Sequence, residues 1–271
     1  MSEGAFGLKY IDAHAHIYPD EIAAKASQAT ADFYEMAMKH DGRLQTLLER
    51  GAQAGIEKHV VHGVAVTPAR VTGINNYLIR TVAANPDRLV GFGAMHPDIP
   101  DVRGELKRIR KGGLLGIKIH ADMQKLLLDS DNMVKLFGAL ADENMPAMMH
   151  MGDFRFPYSE PERLAKALKA VPEAKVIGAH FGGWSIWGEA WKTLAEFDNL
   201  WVDTSSSLYA LTPEQGAQAV RHYRPDRVLF GTDYPMWDPV EERARFEALP
   251  LTDAEREAVS HENIEAFFAQ F

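Results

Sequence analysis

The stretch Tyr10-Ile11-Asp12-Ala13-His14-Ala15-His16 decides how the rest of the chain is read. It has the look of a short buried strand ending in two histidines one residue apart. On a strand, residues two apart point to the same face. His14 and His16 are therefore expected to present two imidazoles side by side at the strand's C-terminal end. Ala13 and Ala15 are expected on the other face, small enough to let a helix pack close behind. Two neutral imidazoles projecting together suit a borderline divalent metal such as zinc. Asp12 is expected on the histidine face one step deeper, where its carboxylate would orient a ligand from behind. The same spacing also describes two solvated histidines at a strand end, so the context further along the chain must decide.

Outward from this strand, apolar strands and helices alternate. The pattern predicts strands over 58–66, 88–95, 114–120, 147–150, 175–180, 200–204 and 227–233. Helices are expected between them, at 43–53, 75–85, 102–111, 132–143, 162–170, 184–197 and 214–222. Gly55 and Asn85-Pro86 supply stops of the usual kind. Three further helical segments, 240–249, 253–260 and 262–270, close the chain. Eight strands alternating with helices imply a parallel sheet with helices outside it. In 271 residues that points to an α/β protein with one distorted (β/α)₈ TIM barrel and extra C-terminal helices. The first strand-to-helix turn carries no Gly-rich phosphate fingerprint, which weighs against a dinucleotide fold. The whole chain, 1–271, is expected to form one domain. Residues 20–41, Ala-rich with Phe33, Tyr34, Met36 and Met38, are long for a strand-to-helix connection. They read as a small insertion, either a packed helix or a cover for the site.

Composition narrows the function classes. The apolar fraction of 46% and charged fraction of 25% are ordinary for a globular enzyme. A formal net charge of −9 argues against nucleic acid or an anionic membrane as partner, since both want a basic surface. With no cysteine, a metal must be held by His, Asp, Glu or a modified Lys. No apolar run approaches the roughly 20 residues that span a bilayer. Met1-Ser2-Glu3-Gly4-Ala5 has no basic region leading into an apolar run, so the cytoplasm is the expected compartment. The expected partner is a small-molecule substrate, with a homo-oligomer formed through the C-terminal helices as an option.

In such a barrel the chemistry sits at the C-terminal ends of the strands. Polar residues gather there. His14 and His16 end the first strand, Lys118 and His120 the fourth, His150 the fifth and His180 the sixth. Gly231-Thr232-Asp233 ends the eighth. Arg155, just after the fifth strand, has the planar fork that holds a carboxylate. Trp184, after the sixth, is a candidate pocket wall. Asp203 reads as structural. His40, His59, His62, His222 and His261 read as surface or packing residues, and His96 ends the third strand with nothing but its position to mark it.

Taken together, Asp12-x-His14-x-His16, His150, His180-Phe181-Gly182-Gly183 and Gly231-Thr232-Asp233-Tyr234-Pro235 resemble the amidohydrolase superfamily. The chain is most similar to the branch that includes aminocarboxymuconate-semialdehyde decarboxylase and its lactonase and hydratase relatives. The resemblance spans nearly the whole chain. It implies a divalent metal at the barrel mouth, with zinc the first expectation and manganese, iron or cobalt as alternatives. By this resemblance His14, His16, His150 and Asp233 match metal ligands. His180 matches a second-metal ligand or a histidine that assists the chemistry. Binuclear members carry a carboxylated lysine on the fourth strand, the position of Lys118. One metal is expected here and two remain open, with Lys118, His120, Arg155 and Trp184 as substrate-binding candidates.

The leading expectation is a metal-dependent hydrolase of a small carboxylated lactone, ester or amide. Asp233 would take a proton from a metal-acidified water and His180 would polarise the carbonyl. The first alternative is a non-oxidative decarboxylase of the same branch, a carbon–carbon lyase in which His180 helps deliver a proton to the carbon that loses CO₂. The second is a metal-binding protein without catalysis.

Overall fold

The computed structural model describes residues 8–271, so the N-terminal stretch read for a targeting signal lies outside the described residues. Eight parallel strands form one sheet in strict sequence order, β1-β2-β3-β4-β5-β6-β7-β8. They are β1 (Tyr10–His16), β2 (Ile56–His62), β3 (Leu89–Ala94), β4 (Leu114–Ile119), β5 (Ala147–Met149), β6 (Val176–Gly178), β7 (Leu200–Asp203) and β8 (Val228–Leu229). The end of the chain segment after β8 returns to β1. Ala13 N–H donates to Phe230 O (2.8 Å), Asp233 N–H to His14 O (2.8 Å) and His16 N–H to Tyr234 O (2.6 Å). The sheet is thereby a nearly closed (β/α)₈ TIM barrel, as the alternation predicts.

Helices cover the outside. They are α1 (Ala23–Tyr34), α2 (Leu44–Gln53), α3 (Val71–Ala84), α4 (Val102–Lys111), α5 (Ala121–Gln124), α6 (Asp131–Asp142) and α7 (Pro161–Ala170). After them come α8 (Trp187–Leu194), α9 (Pro213–His222), α10 (Pro239–Glu247), α11 (Asp253–Glu257) and α12 (Asn263–Phe268). A π-helical turn over Ala258–Glu262 joins the last two. Local chemistry sets the helix starts. Asp101 accepts from Gly104 N–H at 2.8 Å ahead of α4, and Thr212 with Gln215 forms a reciprocal capping box ahead of α9.

Two apolar clusters divide the labour. One lies between the strands and the surrounding helices. The other fills the barrel with Ile11, Val60, Phe92, Met148, Ile177, Trp201 and Leu229. Ile264 and Phe267 of α12 belong to this inner cluster. The C-terminal helix therefore stoppers the barrel end opposite the strand C-termini, and its apolar side is spent on the core.

The strand β1 departs from simple alternation. Its register on β2 shifts between Asp12 and Ala15. As a result Ala13 joins Ile11 inside the barrel, while Ala15 packs outside with Tyr10. Asp12 is also displaced from its expected face. Its carboxylate accepts from His59 Nδ1 (3.0 Å) and from Thr232 N–H and Oγ1 (2.8 and 2.7 Å). His59 in turn lies against Gly51 of α2, on the helix side of the sheet. Asp12 thus ties β1 to β2 and to the segment after β8, and does not touch the His14 or His16 ring.

Strand eight is shorter than the expected 227–233. After Leu229 the backbone leaves the ladder. Phe230 N–H bonds to Val259 O and Gly231 N–H to the Thr204 side chain. The short α5, missed in the sequence, starts at His120, whose ring accepts from Met123 N–H at 3.3 Å.

Candidate metal centre and cavity

The strand ends converge on a compact polar cluster. His14 is fully buried. Its Nδ1–H donates to Asp203 Oδ2 at 2.8 Å, which fixes the tautomer and turns the Nε2 lone pair toward the barrel mouth. Asp233 Oδ1 lies 3.4 Å from that Nε2 and 3.6 Å from His16 Nε2. Two ligand atoms each about 2.1 Å from one ion at the tetrahedral angle stand about 3.4 Å apart. Each of these two separations is that of atoms sharing one ion. Asp233 Oδ2 is held by the Ser206 hydroxyl, which Trp237 Nε1 donates to at 2.8 Å.

His62, the last residue of β2, completes this side. Its ring packs edge-on against His14 and His16, with centroids 4.7 and 4.3 Å away. Both His62 nitrogens are buried without a hydrogen-bond partner. An orphaned buried imidazole costs free energy unless something satisfies it. Donor atoms of His14, His16 and His62 all lie within 4.8 Å of one another. From sequence His62 falls inside the expected strand 58–66 and reads as a surface or packing residue, whereas β2 ends at His62 itself. Gly63, directly after it, was the available signal for the strand's end.

Lys118 enters the same space. Fully buried, its Nζ donates to His14 Nε2 at 3.1 Å. A cationic ammonium therefore sits on the lone pair that faces Asp233. Burial pulls its pKa down to about 8, against the attraction of Asp203 and Asp233. Burial, helped by the Lys118 charge, pushes His14 and His16 well below the ordinary histidine value. Both are neutral, as metal ligands must be. Burial pushes the Asp233 carboxyl up to about 7, with the Ser206 hydrogen bond and Lys118 opposing. These observations make a fit with a divalent cation: neutral imidazoles, a carboxylate at shared-ion spacing, orphaned donor atoms and a lysine standing where positive charge is accommodated.

Across the mouth, the tautomers of a second row of histidines follow from their partners. Met123 N–H donates to His120 Nδ1, so His120 Nε2–H donates to the Tyr34 oxygen at 2.6 Å. Tyr34 O–H is then directed at His150 Nε2, 3.4 Å away. His150 Nδ1–H donates to His180 Nε2 at 3.0 Å, and His180 Nδ1–H to Ser205 O at 3.0 Å. The His120 and His150 rings stack at 3.9 Å and 9°. Burial lowers all three histidines, His180 to about 4. Asp122 lies 3.6 Å from His150 Nε2, is pushed up to about 7 by burial, and leaves Oδ1 unpartnered. His120, Asp122 and His150 form a second group of donor atoms within 4.8 Å. His150 was expected with His14, His16 and Asp233; its ring nitrogens instead turn to His180, Tyr34 and Asp122. Four non-glycine residues here hold left-handed backbone conformations, His180 at φ 61°, Phe181 at φ 50°, Ser206 at φ 45° and Asp233 at φ 56°, the kind of local strain that collects at functional sites. Gly152, after β5, has φ 73°, and a Cβ there would meet Gly183 backbone at 2.5 Å. Only glycine lets the two loops pass this closely.

Three sequence expectations change in this setting. Arg155 does not offer its fork to the cavity. Nε and one terminal nitrogen bind Asp153 at 2.9 and 2.7 Å, and the other donates to Phe33 O at 2.9 Å. Its guanidinium packs among the rings of Phe33, Tyr34, Phe156 and Trp184. It ties the loop after β5 to the end of α1. Asp203, read as structural, is the partner of His14 Nδ1 and accepts from His180 N–H at 3.0 Å. Tyr34, read only as an aromatic of the 20–41 segment, reaches His120 from the end of α1. Trp184 packs edge-on against Tyr34 and lines a small space beside His150 and His180.

Above the cluster is a cavity of about 850 Å³ that reaches His16, His120, His180 and Asp233. Among the described residues, no helix is long and apolar enough to cross a membrane.

Comparison with known proteins places this geometry in context. No curated protein matches the chain. In fold it is similar to a TIM-barrel protein of uncharacterised function from Bordetella bronchiseptica, with TM-score 0.79 and 23% identity, covering 97% of this chain and 99% of that one. It is similar to 5-carboxyvanillate decarboxylase from Novosphingobium aromaticivorans, complexed with manganese and 4-hydroxy-3-methoxy-5-nitrobenzoic acid (TM-score 0.76, 17% identity, 99% and 98% covered). It is similar also to dihydroxybenzoic acid decarboxylase from Polaromonas sp. JS666, with bound manganese and 2-nitroresorcinol (TM-score 0.74, 16% identity, 96% and 97% covered). A sequence-family model described as amidohydrolase matches residues 11–270. The chain belongs to the amidohydrolase family.

Proposed function

We propose that this protein is a metal-dependent non-oxidative decarboxylase of a carboxylic acid, with segment 20–41 covering its site. The observation that carries the reading is that Asp233 Oδ1 stands at shared-ion spacing from both His14 Nε2 and His16 Nε2, beneath a cavity with four histidines at its inner end. Two proteins similar to it along their whole length are decarboxylases with manganese bound, which favours this reading over the hydrolase expected from sequence. It also favours manganese over zinc.

His14, His16 and Asp233 would hold the ion, with His62 as a further donor. When bound, the ion supplies positive charge to anchor and polarise the substrate's oxygen atoms. The remaining work belongs to the chain. In decarboxylation the bond from carbon to carboxylate breaks, CO₂ leaves, and a proton takes its place. His180 is the group for that proton. Its Nδ1 is pinned by Ser205, so proton exchange runs through Nε2, which already shares a hydrogen bond with His150. The row His180, His150, Tyr34, His120 forms a route along which a proton can be replaced.

The test is product analysis in D₂O with a panel of hydroxybenzoates and manganese-loaded protein. CO₂ release with one deuterium at the vacated carbon is the expected outcome. Incorporation of ¹⁸O from labelled water into a cleaved ester or lactone, with no CO₂, would replace it by hydrolysis. One observation favours that second reading: Lys118 lies buried against His14, where a carboxylated lysine would bridge two ions.

A further inference from the structure

The cavity is far larger than a one-ring acid needs. We infer that the natural substrate carries an apolar body of two or more rings, or a chain of that bulk, seated between α1 and the segment that follows β2. The inference rests on the proposed decarboxylase reading only for which end of the substrate meets the histidines.

The first argument is volume. A closed cavity of about 150 Å³ holds benzene, and this one, open to solvent on one side, has about 850 Å³. A single ring at the histidine end would leave most of it to water. Sites for small molecules bury most of their ligand's surface.

The second argument is the wall. From α1 and the residue before it come Ile22, Ala26, Ala29 and Phe33, and from the facing side Val64, Val66 and Ile74. α1 buries only Ala23 and Ser27 of its twelve residues; on its cavity face Phe33 packs against Phe156 and Arg155, while Ala29 and, just before the helix, Ile22 stay exposed. Ile22 and Val66 are 49% and 46% exposed, two of the four large hydrophobics most exposed among the described residues. Both belong to this one cavity. Scattered apolar exposure needs no explanation, but apolar exposure that converges on a cavity continuous with a reactive cluster does. Away from the histidine end, the charged lining residues are Lys25 and Arg70, and both are exposed. The space between offers mainly apolar contact, with the hydroxyl residues Tyr18, Thr30, Thr67 and Tyr77 among it.

The experiment is calorimetric binding of benzoate, 2-naphthoate and biphenyl-4-carboxylate to manganese-loaded protein, without turnover as a readout. Burying one more phenyl ring predicts that biphenyl-4-carboxylate binds about tenfold or more tighter than benzoate. Gly73 of α3 lines the cavity, and a Cβ there meets nothing within 4 Å. Gly73→Trp is therefore expected to fold and to fill this space, lowering the biphenyl-to-benzoate ratio toward one. Ala29→Trp, from the opposite wall, should do the same and guards against a folding fault in the first variant. Equal affinities in the unmodified protein would overturn the inference. So would a ratio that neither variant changes, since the extra ring would then be binding elsewhere. Failure of the decarboxylase reading would look different: the ratio would survive while no CO₂ appeared from any acid in the panel.

Discussion

His14 Nδ1 and Asp203 Oδ2 are 2.8 Å apart, and both side chains are wholly buried. This pair links the first and seventh strands, which are distant in sequence and not neighbours in the sheet: β8 lies between them, and the barrel's closure brings their ends together. A carboxylate on Nδ1 does two things for the opposite nitrogen. It fixes the proton away from Nε2 and raises the basicity of that lone pair.

Asp203→Asn keeps the shape and removes the charge. The variant should bind manganese about 10–100-fold more weakly than the unmodified protein, with thermal stability of the metal-free forms altered far less. Isothermal titration checks the first and calorimetric melting the second. An unchanged manganese affinity would show that the His14 orientation comes from packing alone, and not from this carboxylate.

The pKa of Asp233 gives a signed pH dependence. Burial holds its carboxyl at about 7 in the metal-free protein, well above the ordinary 3.8. A group raised in this way stays protonated in the folded state after it has ionised in the unfolded one. Its contribution to stability is therefore full below about pH 4 and is lost as pH rises to about 7. Asp122 shifts in the same direction to about 7 and adds to the slope. On the proposed ligand set a bound cation needs the Asp233 carboxylate, so metal affinity should fall about tenfold for each pH unit below 7. Lys118, charged up to about pH 8, opposes the cation until it too loses its proton. Six histidines of the site, His14, His16, His62, His120, His150 and His180, shift the other way, below the ordinary 6.5, and make the whole protein less stable as pH falls below that value. The Asp233 part is therefore read as a difference: the stability gained by Asp233→Asn in the metal-free protein should grow as pH rises from about 4 to about 8, while manganese affinity of the unmodified protein should rise over the same range. A gain that stays flat with pH would contradict the raised carboxyl, and a manganese affinity independent of pH below about 7 would contradict the placement of Asp233 beside the ion.

The barrel was legible because its signal is repetitive: eight apolar runs, each followed by a helical period and a breaker. The meeting of His14, His16, His180 and Asp233 at one mouth was legible because a barrel gathers its strand ends there. What escaped the sequence depends on contacts between distant residues. Arg155 looked free because its partners are a carboxylate two residues back and the carbonyl of Phe33, far earlier in the chain. Tyr34 gave no sign of reaching His120. Asp12 shares spacing with His14, yet the register shift in β1 sends its carboxylate to His59. No period-two reading contains such a shift. His62 was hidden by apolar residues beyond Gly63 that extend the pattern but not the strand.

Arg155 supplies a prediction that separates its two readings. With the guanidinium committed to Asp153 and Phe33 O, Arg155→Ala leaves a buried Asp153 carboxylate unpaired and frees the end of α1. Losing one partner of a buried, hydrogen-bonded pair costs about 3–5 kcal/mol when both groups are wholly buried. Arg155 is only partly buried, so about 1–3 kcal/mol is the expected loss on urea unfolding. Arg155→Lys should not restore it, because an ammonium cannot make the fork. If either variant weakened benzoate binding tenfold while leaving stability intact, the arginine would instead be a substrate anchor.

Phe267 tests how much of the fold depends on the stopper beneath the barrel. Its side chain is fully buried, with its ring 4.8 Å from that of Trp201, inside the cluster that fills the strands. It comes from the last helix, near the end of the chain, and lies at the opposite barrel end from the histidines. Phe267→Ala removes a buried ring and leaves a cavity that strands cannot collapse to fill, because their spacing is fixed by the ladder. The expected cost is about 3–5 kcal/mol, read as a lower urea midpoint with an unchanged slope. The manganese affinity of the folded fraction should stay within about twofold, since sites that share no contacts behave additively. A large loss of affinity would mean that the stopper also sets the spacing of the strand ends, and that the metal centre is coupled through the whole length of the barrel.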